Sequence, residues 1–365
     1  MSHEYFNPVR SVYGAGALSS LPTLLAGRRA LLVTFAEARG LGLVGRIEKL
    51  LKRQLAGVID DVKPNPDVAE LGAQYEAFWS DPDGADVIVA LGGGSAIDTA
   101  KALMVGTAGG RFDDLLAGLA SGKGFVPAKT KTLIAVPTTA GTGSEVTPWA
   151  TIWDRSAQKK YSLHLEQTWP DIALIDPELM LSLPAGVTLQ SGLDALSHAL
   201  ESIWNVNANP LSDTYAVAAV HDIFEALPRL MKRLDDLDLR SRMALAALKA
   251  GMAFSNTRTA LAHSISYEMT LRHGLPHGIA CSFPLPMVLE LAIGQRRDRD
   301  TVLERALGPL DAAPRRLTAF IEGLGVKTRF ADYGVGEADA EAMVAHALTG
   351  ARGKNFIGAA NEVTA

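Results

Sequence analysis

The sequence predicts an α/β fold of two domains: a parallel-sheet α/β domain over residues 1–183, then an all-α domain over residues 184–365. In the first half, short apolar runs alternate with amphipathic segments, a pattern typical of βαβ units. After Pro184 the pattern is almost continuously helical. A length of 365 residues is enough for about two domains. Since no repeat or low-complexity linker separates the halves, we expect them to pack around a shared cleft.

Four strands are predicted in the first domain. Helical segments separate them, one of which runs through "LVGRIEKLLKRQ" (43–54), and this spacing favours a parallel sheet. The strands are "RALLVTF" (29–35), "DVIVALGGGS" (86–95), "KTLIAVPTT" (131–139) and "DIALIDPEL" (171–179). In the second domain, helical periodicity is clearest in "DTYAVAAVHDIFEALPRLMKRL", "SRMALAALKAGMAFS", "TVLERALGPL" and "RRLTAFIEGL".

Composition and charge exclude several classes of protein. A hydrophobic content of 48%, with 21% charged residues, is typical of a globular enzyme rather than a disordered chain. The net charge of −5 gives no electrostatic reason to expect binding to nucleic acid or to an anionic membrane. No run approaches the roughly 18 apolar residues of a membrane span. The single cysteine, Cys281, excludes an intrachain disulfide and a cysteine-rich metal site, and we expect a cytoplasmic protein.

Glycine-rich turns follow two of the predicted strands. "LGGGSAIDTAKAL" places Gly92, Gly93, Gly94 and Ser95 between a strand and a helix, where close backbone approach and free N–H groups suit a phosphate. The spacing is not G-x-G-x-x-G, so a plain tight turn is the alternative. "PTTAGTGSEVTP" (137–148) also follows a strand. Because ligands bind at the carboxyl ends of parallel strands, two such turns favour a nucleotide site over surface loops.

A helix near residue 194 has an unusual second face. An apolar stripe of Leu189, Leu193, Leu196, Leu200 and Ile203 defines its core side, and Thr188 is a candidate cap. Asp194 and His198 lie one turn apart, away from that stripe, among small residues instead of the charged residues of a solvent face. Glu201 stands near the edge of this second face. We therefore expect this face to contact something other than solvent.

Three imidazoles and one carboxylate are candidate metal ligands. Asp194 and His198 at i and i+4 can bind one cation, His263 follows on another helical stretch, and His277 lies in a Gly/Pro turn. Such a set suits Fe²⁺ or Zn²⁺ with positions open for substrate. Spacing alone leaves two alternatives: a surface Asp/His contact, and histidines that are hydrogen-bonded in the core.

Taken together, these segments resemble the iron-containing (group III) alcohol dehydrogenase family. The resemblance covers nearly the whole chain, and its most specific parts are "GGGSAIDTAKAL", "PTTAGTGSEVT", "SGLDALSHALES" and "LPHG". It implies a Rossmann-like dinucleotide domain followed by a helical domain, and metal ligation by Asp194, His198, His263 and His277. It also implies that a divalent cation polarises an aldehyde oxygen while NAD(P)H supplies the hydride. The implied cofactor site comprises Asn65, Gly92, Gly93, Gly94, Ser95, Asp98, Thr138, Thr139, Thr142 and Lys160.

Two departures from the family pattern leave questions open. Many members have a second histidine four residues after the third ligand, where this chain has Tyr267, so Tyr267, His273 and water are all candidates for proton delivery. Many NAD-preferring members have an acid after the first long strand, where this chain has Phe35 and Ala36. Without this acid there is no repulsion from it against the 2′-phosphate of NADPH, so NADH and NADPH both remain candidate cofactors.

Basic residues near the implied ligands suggest an anionic substrate. Arg258 and Arg272 each precede a histidine ligand by five residues, and guanidinium groups match carboxylate or phosphonate oxygens. The alternative is that both are structural. The segment "ALAHSISYEMTLRHGLPHGIACSF" is most similar to the phosphonoacetaldehyde reductase branch, which implies formation of 2-hydroxyethylphosphonate and a role in phosphonate metabolism.

Several alternatives remain. Within the family, these are maleylacetate reduction and oxidation of a short-chain alcohol. A non-redox enzyme similar to dehydroquinate synthase would be expected to carry a helix glutamate in place of Asp194, and an inactive nucleotide-binding protein is the last alternative. The family resemblance also suggests a homodimer or a larger homo-oligomer.

Overall fold

The computed structural model describes residues 2–121, 125–157 and 159–358. The chain forms two compact units. An α/β unit contains Pro8–Thr139 and Ser144–Ser182, and a helical unit contains Met1–Asn7, Ala140–Gly143 and Leu183–Ala365. The predicted fold class, a parallel-sheet α/β part followed by a helical part, is confirmed.

The α/β unit is built on a six-stranded parallel sheet. The strands of this unit are β1 (Arg10–Tyr13), β2 (Ala30–Phe35), β3 (Leu55–Val62), β4 (Val87–Gly92), β5 (Val105–Gly106), β6 (Lys129–Thr130), β7 (Thr132–Pro137), β8 (Trp149–Asp154), β9 (Lys159–His164) and β10 (Ile172–Ile175). The order in the large sheet is β1-β10-β7-β4-β2-β3, and two short antiparallel pairs, β5–β6 and β8–β9, accompany it. All four predicted strands lie in the large sheet, as β2, β4, β7 and β10.

Helices cover both faces of this sheet. Successive side chains of β4 alternate between two apolar cores, so Ile88 packs in the core that contains Ile97, while Val89 packs in the core that contains Ile47. A strand buried on both faces must be apolar throughout, which explains the continuous runs in the sequence. The helices of this unit are α1 (Leu21–Leu25), α2 (Leu43–Leu51), α3 (Val68–Ser80), α4 (Gly94–Leu103) and α5 (Phe112–Ala120).

The helical unit contains each of the helices predicted from periodicity. In the described residues, no helix is both long enough and apolar enough to cross a bilayer. The helices are α6 (Ala185–Ile203), α7 (Pro210–Leu230), α8 (Leu237–Thr257), α9 (Leu261–His273), α10 (His277–Ala280), α11 (Leu285–Ala292), α12 (Arg297–Leu307), α13 (Ala313–Gly323) and α14 (Glu337–Thr349).

Helix α6 lies in the interior of its unit, and its start differs from the prediction. The helix begins at Ala185, with Pro184 as the capping residue, so the expected cap at Thr188 is wrong. Thr188 lies within the first turns, and its hydroxyl accepts a hydrogen bond from the buried Arg240 at 2.8 Å. From Gly192 to Ile203 every residue of α6 is buried, so its second face does contact other parts of the protein.

Candidate active site

Helix α6 presents a carboxylate and an imidazole on its second face. Asp194 is 3% exposed and His198 5% exposed, and Nε2 of His198 lies 3.9 Å from Oδ1 of Asp194. The ring of His198 stacks on Phe254, with ring centroids 4.1 Å apart. Polar groups buried this deeply are costly unless they are paired or bind an ion. This face is therefore a built polar site inside the helical unit.

Two further histidines converge on the same carboxylate oxygen. Oδ1 of Asp194 lies 3.5 Å from Nε2 of His263 and 3.8 Å from Nε2 of His277. His263 comes from α9, and His277 is the first residue of the short α10 instead of lying in an open turn. Ligands about 2.0–2.2 Å from a shared cation lie roughly 3–4 Å from one another. The separations of the three imidazoles from Asp194 are those expected of ligands that share one divalent cation, although His198 is not in the group whose ligand atoms all lie within 4.8 Å of one another.

The residues fit such a cation by a second criterion. Nε2 of His263, the nitrogen that faces Asp194, is buried and, within the described residues, lacks a hydrogen-bond partner. A buried nitrogen without a partner is unusual unless something else occupies that position. The side chain of His277, in contrast, is 48% exposed, which leaves one side of the group accessible to solvent. One carboxylate with three imidazoles suits Fe²⁺ or Zn²⁺.

Electrostatics favour a positive charge at this position. Burial raises the pKa of Asp194, but the neighbouring His198 and the other imidazoles outweigh it, so that pKa lies below its ordinary value. Burial lowers the pKa of His198 to about 4. Burial also lowers the pKa of His263, but Glu201 and Asp194 raise it further, to about 9. His263 thus lies between two carboxylates, an arrangement that attracts either a proton or a metal ion.

Cys281 lies at the same group, which sequence reasoning did not predict. One ligand atom from each of Asp194, His263, His277 and Cys281 lies within 4.8 Å of the others. The thiol donates to Oδ1 of Asp194 at 3.4 Å. Burial, together with the charge of Asp194, raises the pKa of this thiol well above its ordinary value. The sequence signal for this proximity was the position of Cys281 four residues after His277, which is one helical turn.

The two candidates for proton delivery occupy different places. Tyr267 lies one helical turn after His263, and the guanidinium of Arg352 lies 4.6 Å from the centre of its ring. Burial raises the pKa of Tyr267, and Arg352 partly opposes this rise. His273 is exposed and lies ten residues after His263 on α9, a helical rise of about 15 Å. The structure therefore does not bring His273 into the metal-ligand group.

The two arginines predicted to bind substrate also differ. Arg272 is exposed, pairs with Glu268, and lines a cavity of about 510 Å³ together with His273, and this cavity has none of the candidate metal ligands in its lining. Arg258 joins α8 to α9 and is exposed, and no carboxylate of the described chain pairs with it. Its backbone has φ 67° and ψ 173°, a conformation nearly restricted to glycine. Such strain is typical of functional positions.

Arg352 is a basic residue that sequence reasoning missed. Its Nε donates to the hydroxyl of Thr259 at 3.1 Å, directly after Arg258 in the chain. It is half-buried, and in the part of the chain that the structure describes no carboxylate forms an ion pair with it. It lies far along the chain from the other site residues, so no local sequence pattern indicates it.

In the α/β unit, three loops meet at the carboxyl edge of the sheet. The Thr138 N–H donates to the Gly92 carbonyl at 2.9 Å, which joins the turns after β7 and β4. The Asn65 N–H donates to the Ser95 hydroxyl at 3.0 Å, which brings in the loop after β3. Gly92 has φ 157°, and a Cβ there would lie 2.7 Å from that of Ala96. This turn therefore requires glycine.

The remaining predicted cofactor residues lie in several different elements. Thr139 lies against Gly93, since its hydroxyl would be 3.3 Å from a Cβ built there. Gly94 begins α4. Lys160 lies on β9, with its ammonium 3.7 Å from the ring centre of Trp153. Thr142 falls in Ala140–Gly143, a segment of the helical unit, and not in the unit that contains the other predicted cofactor residues.

Asp98 holds a loop in place. Its two oxygens accept hydrogen bonds from the Ser144 hydroxyl at 2.9 Å and the Thr151 N–H at 3.0 Å. The fully buried Lys101 donates to the carbonyls of Ser144 at 2.7 Å and Trp149 at 2.8 Å. Burial lowers the pKa of Lys101 to about 8. Asp98 and Lys101 therefore fix the segment after the β7 turn, and Lys101 was not predicted.

Two family models match this chain. Residues 8–177 match the family model for iron-containing alcohol dehydrogenase, and residues 188–363 match the model for the C-terminal part of that family.

Two relatives and one solved structure illustrate the similarity. The chain is 34% identical over 359 residues to the NAD-dependent methanol dehydrogenase of Bacillus methanolicus, covering 94% of this chain and 93% of the relative. It is 32% identical over 357 residues to the phosphonoacetaldehyde reductase of Streptomyces viridochromogenes, covering 92% and 89%. The sulfoacetaldehyde reductase from Bifidobacterium kashiwanohense, solved in complex with NAD⁺, superposes with a TM-score of 0.89 at 28% identity, covering 98% and 94%.

Proposed function

Because the chain belongs to the iron-containing alcohol dehydrogenase family, an oxidoreductase family with NAD-dependent members, we propose that it reduces a small anionic aldehyde. The proposed substrate is phosphonoacetaldehyde and the product 2-hydroxyethylphosphonate. The observation that carries the redox assignment is the convergence of three imidazoles on Oδ1 of Asp194, at 3.5–3.9 Å.

In this proposal Asp194, His198, His263 and His277 hold Fe²⁺ or Zn²⁺. When bound, such a cation supplies Lewis-acid stabilisation of the negative charge that develops on the aldehyde oxygen. The three buried ligands fix the geometry from two helices, α6 and α9. The partly exposed His277 marks the side from which substrate and water enter.

The glycine turn after β4 is the proposed pyrophosphate site. Gly93 and Gly94 carry no side chain to obstruct a phosphate, and α4 begins there with its positive dipole end. The loops that contain Asn65, Thr138 and Thr139 lie beside it. The family includes NAD-dependent enzymes. Since Phe35 and Ala36 stand where many NAD-preferring members have an acid, the proposal includes both NADH and NADPH as cofactors.

Proton delivery is proposed to involve Tyr267 or water. The Tyr267 hydroxyl holds its proton at neutral pH, and Arg352 beside the ring opposes the rise in pKa that burial causes, which favours release of that proton. His273 is not retained as a donor, because it is exposed at the far end of α9.

An anionic substrate is favoured by the environment of Arg258. Its guanidinium has no carboxylate partner in the described residues. Arg258 also lies two residues before Ala260, whose N–H donates to the buried carboxylate of Glu201, which contacts the candidate ligand His263. Two similar proteins are named for aldehydes that carry a phosphonate or a sulfonate. The second candidate is a neutral short-chain alcohol, which the similarity to a methanol dehydrogenase favours.

The test is a substrate panel with the metal-reconstituted protein. Oxidation of NADH and of NADPH is followed with phosphonoacetaldehyde, sulfoacetaldehyde, glycolaldehyde and maleylacetate, after loading with Fe²⁺ or Zn²⁺. A kcat/KM for phosphonoacetaldehyde about 100-fold above that for glycolaldehyde, equivalent to about 2.7 kcal/mol, is expected. Equal values would contradict the anionic substrate and favour a neutral one. A reaction without net NAD(P)H consumption would contradict the redox assignment itself.

A further inference from the structure

Glu201 is a fully buried carboxylate on α6, seven residues after Asp194. Four N–H groups donate to it. Oε1 accepts from the N–H of Ala262 at 2.5 Å and of His263 at 3.2 Å. Oε2 accepts from the N–H of Ala260 at 2.9 Å and is 2.6 Å from Nδ1 of His263. A buried carboxylate with this many donors is strongly held.

The contact with the imidazole determines where its proton lies. An ionised carboxylate only accepts hydrogen bonds, so Nδ1 of His263 must donate. In the neutral imidazole, the lone pair is then on Nε2, the buried nitrogen that has no hydrogen-bond partner among the described residues and lies 3.5 Å from Asp194. Carboxylates that orient a ligating histidine in this way are common in metal sites.

The other contacts fix the backbone at the start of α9. Ala260 precedes the first residue of α9 and supplies no side-chain cap of its own. Glu201 replaces that cap from another helix and places negative charge at the positive end of α9. The position of His263 in the site therefore depends on Glu201 through both its ring and its backbone.

We propose that Glu201 is a positioning residue that holds His263 with Nε2 free to bind the cation, and thereby sets the metal affinity of the site. This inference rests on the metal centre of the proposed function. The competing explanation is that Glu201 only caps α9, in which case its effect is on stability and not on affinity.

The variant that separates these explanations is Glu201→Gln. Its amide oxygen can occupy only one of the two carboxylate oxygen positions. With the NH₂ towards Nδ1 of His263, the ring must move its proton to Nε2 or turn away. With the NH₂ in the other position, it opposes the N–H groups of Ala262 and His263 and displaces the backbone that carries the ring. Asp176→Asn is the matched control, since Asp176 is also fully buried and accepts from the N–H groups of Gly16, Leu18 and Glu178, but lies in the α/β unit.

The measurement is Zn²⁺ and Co²⁺ affinity by chelator competition on metal-free proteins whose folding is checked by circular dichroism. Glu201→Gln should lower affinity about 10- to 100-fold and change the visible spectrum of the Co²⁺ form, while Asp176→Asn should do neither. Wild-type affinity and spectrum in Glu201→Gln would overturn the inference. Failure of the wild-type protein to bind either metal would overturn the proposed function as well.

A second measurement does not depend on the variant folding. In Zn²⁺-loaded wild-type protein with ¹⁵N-labelled histidine, the imidazole spectrum should show the proton of His263 on Nδ1. The signal is assigned by its loss in His263→Gln. A proton on Nε2 of His263 would overturn the inference.

Discussion

The thiol of Cys281 donates a hydrogen bond to Oδ1 of Asp194 over 3.4 Å. Three imidazole nitrogens face the same oxygen, so the sulfur lies next to the candidate cation position. Burial and the nearby charge raise the pKa of the thiol, which favours S–H over thiolate. In this arrangement the cysteine orients the carboxylate of Asp194, a candidate ligand.

Cys281 should react slowly with alkylating agents in the folded protein. Its side chain is fully buried and its pKa is raised, and both properties suppress thiolate reactivity. We expect alkylation by iodoacetamide at least about tenfold slower than in the urea-unfolded protein. Intact mass is a sufficient readout because the chain has one cysteine. Equal rates would show that the thiol is accessible.

Removal of a candidate ligand should remove the metal and the activity together. His263→Ala leaves Asp194 with two of its three imidazoles, and Lewis-acid stabilisation contributes several kcal/mol. We expect NAD(P)H oxidation to fall about 100-fold or more, with metal content reduced in parallel. His221→Ala is the control, since His221 is exposed and contacts the Arg305 carbonyl. Retained stoichiometric metal in His263→Ala would refute its assignment as a ligand.

The strands that could be predicted from sequence are those buried on both faces. β2, β4, β7 and β10 appear as apolar runs because α-helices cover both sides of the sheet. The β8–β9 hairpin was missed because its strands are only partly buried and carry polar residues such as Lys159 and Lys160. The start of α6 was misplaced because Thr188, a good capping residue, is engaged by Arg240 through tertiary contact.

Spacing alone predicts the candidate site only where its residues are close in sequence. Asp194 and His198 are one turn apart, so helix geometry alone places them together. His263 and His277 were assigned through family resemblance, since 65 or more residues separate them from His198 and no spacing rule applies. The role of Glu201 and the position of Arg352 depend on tertiary packing that no local pattern encodes.

Substitution of Arg258 should affect anionic aldehydes selectively. Loss of one charge-assisted hydrogen bond costs about 1.5–3 kcal/mol. For Arg258→Gln we therefore expect KM for phosphonoacetaldehyde to rise about 10- to 100-fold, with glycolaldehyde kinetics nearly unchanged. Arg272→Gln is the matched comparison and should have a small effect, because Arg272 is exposed and paired with Glu268. A larger effect at Arg272 would reverse the assignment of the two arginines.

Glu145 should make the α/β unit less stable as pH rises towards neutrality. The side chain is 4% exposed, and burial raises its pKa from 4.5 to about 7, with its own backbone N–H and Lys101 opposing part of the rise. Between pH 4.5 and about pH 7 the folded state therefore holds a proton that the unfolded state releases. The contribution of this proton to the free energy of unfolding is complete below about pH 4.5 and is lost as the pH rises to about 7. The loss is on the order of 3 kcal/mol.

Glu145→Gln tests this pH dependence because the amide stays neutral at every pH. Relative to the variant, the wild-type protein should lose about 2–3 kcal/mol of unfolding free energy between pH 5 and pH 7.5, as measured by urea denaturation. Glu166→Gln, which removes an exposed carboxylate of the same unit, shows whether the loss of one negative charge is enough to produce the difference. If wild type and Glu145→Gln lose stability in parallel across this range, Glu145 is ionised in the folded protein at pH 5, and Lys101 compensates its burial fully.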